Sequence, residues 1–392
     1  PDIRVEKEAK TLNEQNHNVF IIAKKENKKQ KENESVNYAT IIRLNIPIQT
    51  LLSKLNHTIT YLTGYNFLWS KEIKKIIKKY QIDFFHVHDL YLCKTIIKLS
   101  QKHNIPVISD LHENYPEAIN MWNNKSNDNI LKKLFFKFLY NYNRWYKIEK
   151  FTCKNSYKII AVIDEMKKLL IKKHSVDENK IIVIPNTEYK SFCNQNLITQ
   201  KKDIEKQFTL SFIGGVGGDR GIETVLNAIP NIVDKIPNFK FLIVGANPKL
   251  NYTKKLTKII NKLKINNYVT IINWVPFEKV IDYMIETQVG IIPHFKNTQT
   301  DNTIPHKLFQ YLLTGTPVIV SNCNPLERIV NETKSGVVFK SDNYNSLSNE
   351  IIKLYKDKNR YTTFKKNAIS HSHHGKYNWE STSIPLLKLY NI

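Results

Sequence analysis

Three groups of residues in this chain have the types and spacing to do chemistry. The first is residues 301–329, DNTIPHKLFQYLLTGTPVIVSNCNPLERI. A polar loop, 301–305, leads into a predicted helix at 306–314. Gly315 stops that helix, and 317–321 reads as a buried strand. The first backbone N–H groups of a helix have no intrahelical partner, so a helix start after a loop is a ready anion site. Lys307 stands in that first turn, where a cation is unfavourable to the helix dipole. Either it is a solvated lysine on an exposed face or it is kept there because a phosphate binds; spacing alone favours neither.

The second group is Gly214-Gly215-Val216-Gly217-Gly218-Asp219-Arg220-Gly221, between a strand predicted at 208–213 and a helix at 222–229. Four of the chain's eleven glycines fall between 214 and 218. Glycines at such a junction let backbone approach a ligand closely, and the helix start supplies N–H donors. The spacing is neither G-x-G-x-x-G nor a P-loop, which argues against a nicotinamide cofactor or a kinase. Arg220 follows the loop directly, so Arg220 and Lys307 are the cations beside the two helix starts. The third group is His86, His88 and His112, near the carboxyl ends of strands predicted at 83–88 and 106–109, with Glu113 and Glu117 as weaker candidates. His86 and His88 alternate along one strand, and the spacing to His112 fits no common metal motif. A structural or acceptor-side role is therefore preferred to a metal.

The elements that must position these residues follow from local pattern. Strand, helix and strand at short spacing (83–88, 89–102, 106–109) indicate a parallel sheet with ligands at its carboxyl ends. Further strands are predicted at 19–23, 41–46, 157–163, 181–184, 239–244 and 269–272. Helices are predicted at 51–80, 164–173, 250–263, 280–287 and 379–389, with Asp164 as a cap. Residues 24–37 read as a mobile charged loop, and 190–207 as a linker. Residues 129–151 read as one basic, aromatic helix. Leu131, Leu134, Phe135 and Phe138 form its core stripe. Lys132, Lys133 and Lys137, with Phe136 and Trp145, form either a membrane face or a solvated one. His371, His373 and His374 read as a solvated turn. The chain opens on a helix capped by Asp2, whereas a doubly wound domain opens on a strand and a tight loop. The expectation is that such a strand precedes residue 1; the alternative is a domain without it.

The 301–329 run, with Gly290-Ile-Ile-Pro293-His294 before it, resembles the donor site of family 4 glycosyltransferases, in particular a bacterial subgroup with a P-H-K-L-F-Q/E-Y run. The resemblance covers nearly the whole chain and is most specific at 290–329. It implies an α/β fold of the GT-B type, two Rossmann-like doubly wound domains facing a cleft. The domains would be an acceptor-side one at 1–189, the linker, a donor-binding one at 208–374, and a last helix, 375–392, returning to the first. It implies a retaining transferase of hexosyl or N-acetylhexosaminyl groups from a nucleotide-diphosphate sugar, UDP rather than GDP, with no metal required. The acceptor would be a glycan or a lipid-linked acceptor of surface polysaccharide or capsule synthesis. The implied donor residues are Gly214, Gly215, Gly217, Gly218, Arg220, His294, Asn302, Thr303, Ile304, Lys307 and Gln310. The implied catalytic residues are His112, Arg220 and Lys307, with His88, Glu113 and Glu117 on the acceptor side. Three departures matter. Two glutamates eight apart in the wider family are here Asn302 and Gln310, so neither place has a carboxylate. Gly215 replaces an arginine, and Arg220-Gly221 stands for a lysine-glycine pair. Thr187 replaces the glycine of a P-N-G ending.

The chain has 392 residues, enough for two separate cores, and 59 Lys+Arg against 35 Asp+Glu, a net charge of +24. Such a field favours anionic partners: nucleic acid, anionic lipid headgroups or phosphorylated substrates. The basic residues are spread along the chain and no nucleic-acid module is present, so nucleic acid is not the expected partner. The departures at Asn302, Gln310 and Gly215 also keep open a catalytically silent scaffold. Four scattered cysteines form no C-x-x-C pair, which suits a reducing compartment. No apolar run is long enough to span a bilayer and no signal peptide is visible, giving a cytoplasmic expectation, peripheral on the inner face of the membrane.

Overall fold

The structure is a computed structural model that describes residues 2–390 apart from 28, 125–129, 200–203 and 205. The chain divides into two units, Pro1–Pro185 with Ser383–Ile392, and Asn186–Thr382.

In the first unit, strands β1 (Phe20–Lys24), β2 (Asn33–Val36) and β3 (Ala39–Leu44) form a sheet in the order β1-β3-β2. Strands β4 (Phe85–His88), β5 (Val107–Leu111), β6 (Lys158–Ala161) and β7 (Ile181–Val183) form a second sheet, in sequence order and parallel throughout. The 24–37 segment is thus not wholly loop. β2 has no apolar alternation to betray it and takes its order from antiparallel pairing with β3. Asp2 caps the first helix, Ile3–Asn13, by accepting from the backbone N–H groups of Arg4 and Val5. The helix predicted at 51–80 is two, Leu51–Thr63 and Phe67–Lys79, because Gly64 adopts φ 72° and ends the first. Asp164 does not cap its helix; Ile163 holds that position, and Asp164 is the first helical residue.

The predicted 129–151 helix is also two, Ile130–Leu139 and Tyr142–Asn155, with Asn141 capping the second. Asn129 and the side chains of Leu131, Lys132 and Lys133 lie outside the described residues. Leu134, Phe135 and Phe138 are exposed rather than core-forming, whereas Trp145 is fully buried instead of facing outward. The break at Asn141 is the reason: the core is filled by Trp145 and Ile148 of the second helix, which frees the first helix's apolar face. A further helix, Tyr115–Asn124, follows β5 where sequence patterning indicated none.

The second unit has one six-stranded parallel sheet. Its strands are β8 (Phe208–Ile213), β9 (Phe239–Ala246), β10 (Val269–Asn273), β11 (Val289–Ile292), β12 (Val318–Ser321) and β13 (Gly336–Phe339), ordered β10-β9-β8-β11-β12-β13. β8 is buried at every position, as a central parallel strand covered on both faces must be. Strand order reverses between β8 and β11, and ligands of doubly wound sheets sit outside the carboxyl ends at such a switch. The glycine-rich loop leaves β8 there, and Pro293-His294 leaves β11. Ser370–His374 winds as a π-helical turn rather than a loose one, with His373 Nε2 2.9 Å from the Leu313 carbonyl.

Candidate active-site residues

In the second unit the donor candidates gather at the β8–β11 switch. Gly214 has φ 126°, and a Cβ there would lie 3.1 Å from the Lys307 ammonium, so backbone and lysine are in close approach. A Cβ at Gly215 would meet nothing within 4 Å, which leaves that side of the loop open. Gly221, at φ 67°, leaves room for the Pro293 carbonyl, which a Cβ would meet at 1.8 Å. The loop carrying His294 is therefore pressed onto the glycine loop.

The Lys307–Leu313 helix has seven residues, so its backbone contributes little as an anion site and weight passes to the Lys307 side chain. That side chain is not solvated. It is 9% exposed, and its ammonium sits 3.2 Å from the centroid of the Phe212 ring. Burial first, then Arg220, hold its pKa well below the ordinary lysine value, against a smaller pull from Asp219. His294 is buried, its Nε2 has no hydrogen bond, and burial with the charges of Arg220 and Lys307 keeps it neutral. Arg220 is half-exposed, with Nε 3.7 Å from Asp219. No carboxylate forms an ion pair with Lys307 among the described residues. Lys307, Arg220 and His294 are thus three neighbouring nitrogen groups at a strand-end switch, with Asp219 as the nearby carboxylate. Of the other candidates, the Asn302 amide donates to the Thr298 carbonyl at 2.7 Å and the Thr303 hydroxyl to the Gln299 carbonyl at 3.0 Å. Ile304 and Gln310 are buried. His306 pairs with Glu188 at 2.9 Å and stacks on Phe277, a contact with no signal in the sequence.

In the first unit the histidines converge on Asp110, which is fully buried. Arg4 grips that carboxylate from Nε at 2.7 Å and from its terminal nitrogen at 3.1 Å. His112 Nε2 lies 3.0 Å from the same carboxylate, and His112 Nδ1 is 3.5 Å from Asp89. His88 Nδ1 is 3.2 Å from His112 Nε2, and His86 stacks on His88 with ring centres 4.6 Å apart. Burial alone would lower the His112 pKa, but Asp110 and Asp89 overcome it and raise the group to about 9. Asp110 is likewise driven by burial upward and by Arg4 and His112 further downward, ending well below the ordinary value. Burial pushes Glu8 up to about 7 against the pull of Arg4. Asp89 adopts φ 61°, a strained conformation of the kind that clusters at functional sites. Glu113 stands beside Tyr115, and Glu117 lies in the first turn of the next helix. Sequence reading missed Arg4, Glu8, Asp89 and Asp110. The available signal was a charged i, i+4 pair, Arg4 and Glu8, in line with buried Leu12 on a core-facing helix.

Residues 3–187 match the family model Glycosyltransferase Family 4, and residues 194–371 match Glycosyl transferases group 1. The chain belongs to the family 4 glycosyltransferases. As a glycosyltransferase it is 23% identical over 317 residues to alpha-monoglucosyldiacylglycerol synthase of Acholeplasma laidlawii, covering 77% of this chain and 73% of that one. Among solved structures it resembles sucrose-phosphate synthase of Thermosynechococcus elongatus, with TM-score 0.79 at 17% identity over 99% of this chain and 92% of that one. It also resembles HepE of Anabaena in complex with UDP, with TM-score 0.68 at 12% identity over 95% of this chain and 99% of that one. These likenesses establish the GT-B fold.

Proposed function

We propose that this glycosyltransferase moves a hexosyl or N-acetylhexosaminyl group from a UDP-sugar to a glycan or lipid-linked acceptor, with retention at the anomeric carbon. The observation that carries the donor half is Lys307, a buried lysine with no ion pair among the described residues, beside Arg220 at the switch between β8 and β11. A diphosphate is the group that such a pocket lacks. In the reaction, negative charge grows on the leaving diphosphate. Backbone N–H groups of the 214–218 loop, Arg220 and Lys307 stabilise that charge through donors already in place before the bond breaks. These fixed cations carry the task without a divalent ion at the phosphates. His112 faces the transferred sugar in this reading, with His88, Glu113 and Glu117 on the acceptor side, and no residue is assigned as nucleophile. UDP in the HepE complex supports the uridine base. The Acholeplasma relative, a glucosyldiacylglycerol synthase by name, supports an acceptor presented at a lipid surface. Surface polysaccharide synthesis at the inner face of the membrane is the setting we infer.

The test is to titrate Arg220→Ala and Lys307→Ala with uridine, UMP and UDP. Each charge-assisted hydrogen bond contributes about 1.5–3 kcal/mol, so each variant is expected to bind UDP about tenfold or more weakly. Uridine should notice neither change, and the losses need not add, since both cations act on one group. UDP affinity at the wild-type value in both variants would refute the clamp.

A further inference from the structure

We infer that the first unit carries a site for one divalent transition-metal ion, zinc by preference, held by Glu8, His86, His88 and Asp110. One ligand atom from each of the four lies within 4.8 Å of the others. Glu8 Oε2 is 3.3 Å from His86 Nε2 and 3.7 Å from His88 Nε2, and His86 Nε2 is 3.7 Å from Asp110 Oδ2. Tetrahedral zinc with bonds of about 2.0–2.1 Å separates its donor atoms by roughly 3.3–3.4 Å. The three named contacts stand close to the spacing an ion requires, and the remaining pairs, within 4.8 Å, close inward on binding.

A second, independent observation points to a ligand. Glu8 is 2% exposed, and among the described residues neither of its carboxylate oxygens has a hydrogen-bond partner; the buried His86 Nε2 has none either. Arg4 supplies charge to Glu8 Oε1 at 3.1 Å, but Oε2 faces the two imidazoles. A buried carboxylate oxygen aimed at histidine nitrogens without hydrogen bonds is the geometry a bound cation satisfies.

The surrounding groups are of the kind that orient metal ligands. His86 Nδ1 lies 2.7 Å from the Tyr390 hydroxyl, which leaves Nε2 to point at Glu8. His88 Nδ1 is within 3.2 Å of His112 and 3.3 Å of Asp110, which leaves its Nε2 on the same side. Asp110 is held by Arg4. Two imidazoles and two carboxylates suit zinc and its first-row neighbours, whereas calcium takes six or more oxygens. The histidine spacing alone fits no metal motif; the site appears only when folding brings in Glu8 from the first helix and Asp110 from β5. Every ligand belongs to the first unit, so the inference stands apart from the donor clamp.

The experiment uses the full chain stripped with a chelator and titrated with Co2+ and Zn2+. Calorimetry should give one site per chain. The Co2+ form should show the intense visible absorption of a four-coordinate ion. Glu8→Gln and His86→Gln should each weaken binding at least tenfold. A variant with His371, His373 and His374 all changed to Asn should keep it, since that cluster is the obvious adventitious site. Absence of a stoichiometric wild-type site, or binding lost in the tail variant and retained in both Glu8→Gln and His86→Gln, overturns the inference. If either ligand variant fails to fold, the wild-type cobalt spectrum and the tail variant still decide it.

Discussion

Lys307 packs its ammonium against an aromatic ring with Arg220 as a charged neighbour, a state that a phosphate bound as proposed would relieve. The linkage has a definite sign. Burial and Arg220 lower the lysine's pKa, and a bound diphosphate favours its charged form. Binding therefore takes up protons, and affinity falls as pH rises from the depressed pKa towards the ordinary 10.5. Calorimetry of UDP in mildly alkaline buffers of different ionisation enthalpy should register that uptake, and Lys307→Met should abolish it. Identical heats in all buffers would remove the lysine from the phosphate site. Gln310 is a milder case. Buried and neutral where the wider family has a carboxylate, it can still bond a ribose hydroxyl. Gln310→Ala should cost about 0.5–1.5 kcal/mol of donor affinity, and Gln310→Glu should be tolerated. Unchanged affinity in the alanine variant would take Gln310 out of the site. For His112, replacement by Ala should lower turnover while UDP binding stays near wild type; equal loss of both would make it a support of the fold.

At the scale of elements, the two glycine-dependent contacts at the β8–β11 switch explain why the second unit was the more legible. Residues 208–213 are recovered as a strand residue for residue, and 222–229 and 239–244 as cores of longer elements, because central parallel strands are continuous apolar runs bounded by glycine. The same physics obscured the first unit. The Ile130–Leu139 and Tyr142–Asn155 helices share one unbroken apolar and basic pattern, and only the capping of Arg144 N–H by Asn141 separates them. β2 carries no pattern of its own. Arg4 and Asp110 are distant in sequence, and a buried ion pair leaves no periodic trace. Gly221 offers a direct test of the switch. Gly221→Ala places a Cβ on the Pro293 carbonyl in a left-handed backbone, and the conformation alone costs about 1–2 kcal/mol. The variant should unfold at lower denaturant and bind UDP more weakly, since the His294 loop must move. Wild-type stability together with wild-type UDP affinity would show that the close packing of these loops does not matter for the site.

At the scale of the whole molecule, a net charge of +24 coincides with an apolar surface that the fold leaves uncovered. No helix among the described residues is long and apolar enough to cross a membrane. The Leu51–Thr63 and Ile130–Leu139 helices touch. Leu51, Leu52 and Leu55 are exposed on one, and Leu134, Phe135 and Phe138 on the other, with Lys54 and Lys137 exposed among them. Leu51 is 85% exposed and Phe138 61%, values that matter because clustered large apolar side chains mark interaction surfaces. Lysines within an apolar face match an anionic lipid surface better than a neutral one. Each basic residue near such a surface contributes about 1 kcal/mol, a contribution that salt screens, and each large apolar side chain adds about 1.5–3 kcal/mol if fully inserted, which salt does not remove. The two contributions can be separated by vesicle flotation. Partition onto anionic vesicles should exceed that onto neutral ones and fall with salt. Leu134→Ser, Phe135→Ser and Phe138→Ser combined should lower it about a hundredfold or more at every salt concentration. Because these side chains are exposed, the triple variant should keep its fold and its UDP affinity. Equal partition onto neutral and anionic vesicles would remove the electrostatic part, and an unchanged triple variant would remove the apolar part.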